Sequence, residues 1–166
     1  MMAKPNPPLA MWRRRKLSAD EIALGRSIFG DEIDWARVRV MQAPWLGFGA
    51  MVPRGHTVVF SRWRACEDFS CTSLGEQGWL IHELMHVWQA ARGVFLAGAK
   101  LSALGKRAYV YEPKPGARLG DYNIERQAEI ARHLFLARHG LSEPGMASRD
   151  WLEDIWKTRT RVSSSA

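Results

Sequence analysis

The stretch Ser73-Leu-Gly-Glu-Gln-Gly-Trp-Leu-Ile-His-Glu-Leu-Met-His-Val-Trp-Gln-Ala-Ala-Arg-Gly93 decides how the chain is read. Ser73 followed three residues later by Glu76 is a capping box, and Gly93 is a helix stop, so the segment predicts one helix over about 74–92. Leu80, Leu84, Val87 and Ala91 recur at helical spacing and form an apolar stripe. His82, Glu83 and His86 form the pattern H-E-x-x-H, and the two histidines lie nearly opposite that stripe. Charged groups rarely enter an apolar run without a partner, so the helix is expected to be buried on both sides, with a polar site on one of them.

Residues four apart on a helix are rotated by about 40° and separated by about 6 Å along the axis, so both imidazoles can reach one ion. A glutamate beside the first histidine can take a proton from a water held there and later deliver it to a leaving group. The pattern arises by chance about 0.01 times in a chain of this composition. The plainer reading is two hydrogen-bonded histidines flanking an ordinary glutamate. A catalytic zinc ion takes three protein ligands and one open position. The continuation G-x-x-H is excluded, because Gln89 and Arg92 occupy its two defining positions. A second class takes a glutamate from a later helix in an E-x-x-x-(D/E) pattern, and Asn123-Ile-Glu-Arg-Gln-Ala-Glu129 supplies it. Glu125 is then the third ligand, and Glu129 accepts a hydrogen bond from a ligand histidine. Read alone, these two are solvated helix acids. His133 reads as a surface residue, and His56 and His139 as non-ligands. Tyr109, Tyr111 and Tyr122 are candidate donors to an oxyanion, although helix geometry turns Tyr122 away from Glu125.

Outward from this centre, Ser18 and Glu21 open a helix over about 19–29, stopped at Gly30. Val38–Met41, Leu46–Met51 and Thr57–Phe60 read as short strands, the last two a hairpin turned at Pro53-Arg54-Gly55. Helices follow over about 122–139 and 147–159. The order predicts a single α+β domain over 17–158, with a small, mostly antiparallel sheet packed on the motif helix and a second ligand-bearing helix. Eight tryptophans suggest a compact core or an apolar cleft.

The net charge of +7 is concentrated at the ends. Residues 1–16 hold five basic side chains and residues 157–166 three, with no acid in either, so the body is close to neutral. Loose solvated tails over 1–16 and 159–166 account for this, with weak polyanion binding as an auxiliary property. No segment has the length of a membrane span, and the N-terminus lacks the apolar run of a secretory signal. Two cysteines, Cys66 and Cys71, read as reduced thiols in a cytoplasmic protein, with export by a dedicated secretion system left open.

The segments Asp68-Phe-Ser70, Trp79-Leu-Ile-His-Glu-Leu-Met-His-Val-Trp-Gln89 and Asp121-Tyr-Asn-Ile-Glu-Arg-Gln-Ala-Glu-Ile130 together resemble the bacterial Vgr-related zincin-like proteins. The resemblance covers roughly residues 36–136. It implies a glutamate-class zincin fold, one Zn²⁺ ion, association with injection-system components, and an extended peptide substrate added as an edge strand near Thr57–Phe60. Three readings stand: a zinc metallopeptidase, an accessory or structural module of a secretion system with little or no peptidase activity, and a basic polyanion binder.

Overall fold

A computed structural model describes residues 6–47, 49–94, 96 and 109–160. Four strands, β1 (Arg14–Lys16), β2 (Arg39–Ala43), β3 (Ala50–Arg54) and β4 (Thr57–Ser61), form one sheet in the order β1-β2-β4-β3. The α-helices are α1 (Ala19–Phe29), α2 (Leu74–Ala91), α3 (Ile124–Arg138) and α4 (Arg149–Lys157). The architecture is α+β. α2 packs against β3 and β4 on one side and α3 on another, and α1 and α4 close the outside. Each helix begins at a side-chain cap, from Ser18, Ser73, Asn123 and Ser148. These caps satisfy N–H groups that the first turn leaves open.

Three expectations are corrected. The sheet is mixed, because β2 and β4 pair in parallel, Arg39 opposite Thr57 and Ala43 opposite Ser61. Thr57–Phe60 is therefore an interior strand and not the edge. Val58, Val59 and Phe60 are all buried, as a continuous apolar run on a two-sided strand requires. Among the described residues the outer strand on that side is β3, whose register to β4 slips between Met51 and Arg54, around Pro53. Third, the basic segment is not a loose tail over its described part. Leu9 is buried and its N–H bonds the Ala65 carbonyl at 3.0 Å. Arg14–Lys16 pairs antiparallel with β2. Strand alternation sends Arg15 inward while its neighbours face out. At the other end, Arg159 donates to Glu32 at 2.7 Å, so the fold reaches past residue 158. Residues 1–5 and 161–166 lie outside the described residues.

The inward arginine meets Glu21, which is fully buried. Arg15 donates to both Glu21 oxygens at 2.7 Å, and the carboxylate also accepts from Ser18 N at 2.8 Å and Phe69 N at 2.7 Å. Glu21 is thus both half of a capping box and the pin joining β1, α1 and the turn that leads into α2. Close by, Gly25 lets α1 approach: a Cβ there would overlap the Trp35 ring and press on Leu84 of α2.

Glu21→Ala strands a buried arginine, so it is expected to lower stability by about 3–5 kcal/mol. Ser18→Ala removes only a cap, at about 1 kcal/mol. Urea unfolding of both variants checks this, and equal losses would reduce Glu21 to an ordinary cap residue.

Candidate metal centre

Every residue of α2 from Leu80 to Gln89 is buried, while Ala91, expected in the apolar stripe, is exposed at the helix end. A helix enclosed on all sides must satisfy its polar groups from its neighbours. α3 does this for the motif. His82 Nε2 lies 3.3 Å from Glu125 Oε2, and His86 Nε2 lies 3.4 Å from the same oxygen. Ligand atoms of the three residues all fall within 4.8 Å of one another, and all three residues are buried. Donors at about 2.1 Å around a tetrahedral ion stand about 3.4 Å apart, so the two measured separations suit one small divalent cation.

The far side of each ring is also held. His86 Nδ1 is 2.8 Å from Gln89 Oε1. The Gln89 amide donates to Ile124 O at 3.1 Å and to Gln127 Oε1 at 3.0 Å, which turns its oxygen toward the histidine. The hydrogen of His86 therefore sits on Nδ1 and leaves Nε2 as a lone pair, and that buried Nε2 has no hydrogen-bond partner. His82 Nδ1 lies 2.9 Å from Glu129 Oε1, an ion-pair distance at an angle outside hydrogen-bond range. Burial opposes a charge on His82, but Glu125 and Glu129 outweigh it and push its pKa up to about 9. The field that favours a proton on that nitrogen also favours a cation in its place. These donors, with an orphaned imidazole nitrogen among them, fit a zinc-type ion.

Glu129 is itself buried and braced. Its second oxygen is 3.1 Å from Arg132 Nη1 and 3.3 Å from His133 Nε2. Burial resists its ionisation, yet His82 and Arg132 hold its pKa below the usual carboxylate value. His133, expected at the surface, is buried instead, with Nδ1 2.7 Å from the Tyr111 hydroxyl. Tyr111–His133–Glu129–His82 is thus one chain of polar contacts ending at the candidate site. The spacing of His82, His86, Glu125 and Glu129 pointed to these four in the sequence. His133, one turn past Glu129, can be read from the sequence as its support, although the surface reading is preferred there, whereas Gln89, three residues past His86, and Arg132 carry no such signal.

Glu83 and Glu125, with His82, face a cavity of about 240 Å³ that is also lined by Ala50 of β3, Arg64, Trp79 and Tyr109. Glu83 is buried, and its Oε2 has no hydrogen-bond partner among the described residues. Trp79 stands between two guanidinium groups, Arg64 at 5.0 Å and Arg132 at 4.9 Å from its ring centre. Of the three tyrosines, Tyr109 alone lines this cavity, its ring 6.0 Å from that of His82. The Tyr122 hydroxyl donates to Glu112 O. His56 lies away in the β3–β4 turn, and His139 caps α3 with Nδ1 2.8 Å from Phe135 O. Cys66 is buried and Cys71 exposed, both free.

The fold and site define an α+β domain built around a buried His₂Glu cluster in the wall of a cleft. No family model matches the chain. Over 145 residues it is 41% identical to the type VI secretion system spike protein VgrG2b of Pseudomonas aeruginosa. The match covers 81% of this chain and spans 14% of the length of that protein. The solved effector domain of Pseudomonas aeruginosa VgrG2b superposes with a TM-score of 0.70 at 34% identity, covering 87% of this chain and 82% of that one. The chain belongs to the family of the VgrG2b effector domain, among the Vgr-related proteins of type VI secretion. No helix among the described residues is long and apolar enough to cross a membrane.

His86→Ala and Glu125→Ala are expected to abolish binding of one zinc equivalent per chain. Gln89→Ala, which only frees the second ring, should weaken zinc about 10–100-fold while the fold persists. Chelator competition with circular dichroism measures both. Zinc affinity unchanged in Gln89→Ala would detach that residue from the site.

Proposed function

We propose that the chain is a zinc-dependent hydrolase, a small metallopeptidase of the glutamate class acting as an effector domain of a type VI secretion system. The observation that carries this reading is the Glu83 carboxylate, buried in the cavity wall beside the three candidate ligand atoms with one oxygen unpartnered. His82, His86 and Glu125 would hold the ion. Zinc bound there would supply a Lewis acid for a carbonyl oxygen and bring the pKa of water to about 7.

The remaining steps belong to this chain's own groups. Glu83 takes the proton of the attacking water at its open oxygen and passes it to the leaving amine nitrogen. Glu129 and Gln89 keep the imidazole rings in register by holding Nδ1. The Tyr109 phenol, at the rim, lies in position to donate to the oxygen of a tetrahedral adduct. β3 is the outer strand of the described sheet, and Ala50 places its first residue in the cavity wall, so an extended peptide adding there would run past Glu83.

A second reading has its own support. The named relatives are a secretion spike protein and its effector domain, and neither name states a hydrolytic activity. This favours an accessory module of the injection system that uses the cleft to bind without turnover.

Glu83→Gln removes the base and keeps the shape. Zinc stoichiometry is expected to stay at one, while cleavage of a denatured-protein or peptide-library substrate falls about 10²–10⁴-fold. A zinc-loaded wild type that cleaves none of these substrates would favour the accessory reading. Equal cleavage by both proteins would refute Glu83 as the base.

A further inference from the structure

Four large apolar side chains, Met11, Trp12, Trp45 and Trp63, are 57–65% exposed. The topology gathers them at one end of the sheet. Trp12 lies just before β1, and Arg13 O accepts from Gln42 N near the end of β2. Trp45 sits in the turn that leaves β2 at Ala43, and Trp63 in the turn that leaves β4 at Ser61, its register partner. The short segments 10–14, 43–47 and 61–64 carry Arg13, Arg14, Arg62 and Arg64 and no acid, with Arg13 and Arg64 ion-paired to Glu67 at 3.1 Å and Glu76 at 3.3 Å beyond them. The excess positive charge of the N-terminal segment is thus fixed, in part, around three projecting indoles.

Two features mark this as a built surface. Trp12 has φ of 64°, in the left-handed region that a bulky residue enters only at a cost in strain. That strained backbone holds its ring against Trp45 at 4.6 Å, in solvent. Strain that exposes an apolar ring contributes nothing to folding, so its use is external. One face of each indole is also covered: Trp12 and Trp45 cover each other, and the Arg62 guanidinium lies 4.2 Å over Trp63. The three indoles remain 57–65% exposed, so more than half of each projects into solvent. Projecting indole edges ringed by arginines suit the boundary between lipid headgroups and acyl chains, where amphipathic rings settle and anionic phosphates attract cations.

We propose that this end of the sheet is a docking surface for anionic phospholipid membranes. Trp12, Trp45 and Trp63 enter the headgroup region, Arg62 pairs with a phosphate, and Arg13 does so on exchanging Glu67, 3.1 Å away, for the lipid. Arg64 lies at the inner border of the surface and lines the cavity, so docking would place the cleft beside the bilayer. The inference is independent of hydrolysis at Glu83.

The test uses the full chain with vesicles of phosphatidylcholine alone and of phosphatidylcholine with phosphatidylglycerol. Co-sedimentation and a blue shift of tryptophan emission are expected with the anionic vesicles, weakening as salt rises. W12A/W45A/W63A should bind them about tenfold more weakly or worse, because the inserted apolar area is lost. W45A/W63A, which leaves the strained turn untouched, should move in the same direction with unchanged zinc affinity and circular dichroism. Trp12→Gly should weaken binding while Tm does not fall, since glycine accepts that backbone without strain. No binding to anionic vesicles at low salt would overturn the proposal. So would binding that survives loss of the three indoles, or binding to duplex DNA that matches the vesicles and ignores the indole substitutions, which would make the surface a polyanion site.

Discussion

The structure turns on one constraint: α2 is enclosed on every side yet carries two histidines and a glutamate in its middle. Burying those groups unpaired would cost several kcal/mol each. α3 offsets part of that cost by bringing Glu125 within 3.4 Å of both Nε2 atoms and Glu129 within 2.9 Å of His82 Nδ1, while His86 Nε2 and His82 Nδ1 stay without a hydrogen bond. Within α2 itself, Gln89 takes His86 Nδ1 and ties it back to the first turn of α3. The apolar contacts between the helices set their distance, and this polar layer sets their register. A slide of α3 by one residue would aim Glu125 about 100° away and break the cluster. The same layer that would hold a cation therefore helps specify the fold, with or without one.

Much of this was legible because helices write their signals locally. Capping boxes, stop glycines and apolar spacing place α1 and α2 within a residue of their expected bounds, and the motif positions converge as their spacing implies. The sheet was less legible, because pairing is not local. Reading the strands in chain order makes Thr57–Phe60 the outer strand. The hairpin instead docks with β4 inward against β2, and only its unbroken apolar run hinted at two-sided burial. The basic run before α1 hid a strand, because Arg15 is neutralised by a partner the linear pattern assigned wholly to a cap. The tryptophans divide for the same reason. Trp35, Trp88 and Trp156 are core residues whose indole N–H groups find acceptors, whereas Trp12, Trp45 and Trp63 stand on turns in solvent, and composition alone cannot separate the two sets.

Beyond the α2–α3 layer, two carboxylates hold the outer elements to the core. Glu21 and Glu32 each gather partners from distant parts of the chain. Glu21 ties β1, α1 and the approach to α2, and Glu32 joins Trp88, Arg92 and Arg159. Buried and part-buried carboxylate hubs of this kind spread the constraint over several segments and tie α2 to the rest of the described fold without a disulfide.

Against this background of paired groups, Glu83 stands apart. His82 Nδ1, His86 Nε2 and Glu129 Oε1 also lack a hydrogen bond, but each stands within ion-pair distance of a group on the facing helix, whereas Glu83 Oε2 is buried with no hydrogen bond among the described residues. A leucine or glutamine in its place would relieve a buried carboxylate and disturb nothing that holds the helices together. A buried carboxylate with an unbonded oxygen in the wall of a cleft is the kind of group that active sites keep at the expense of stability. A structural zinc takes four protein ligands, whereas His82, His86 and Glu125 would supply three, so an ion held there would keep one position open, and Glu83 lines the same cavity as His82 and Glu125.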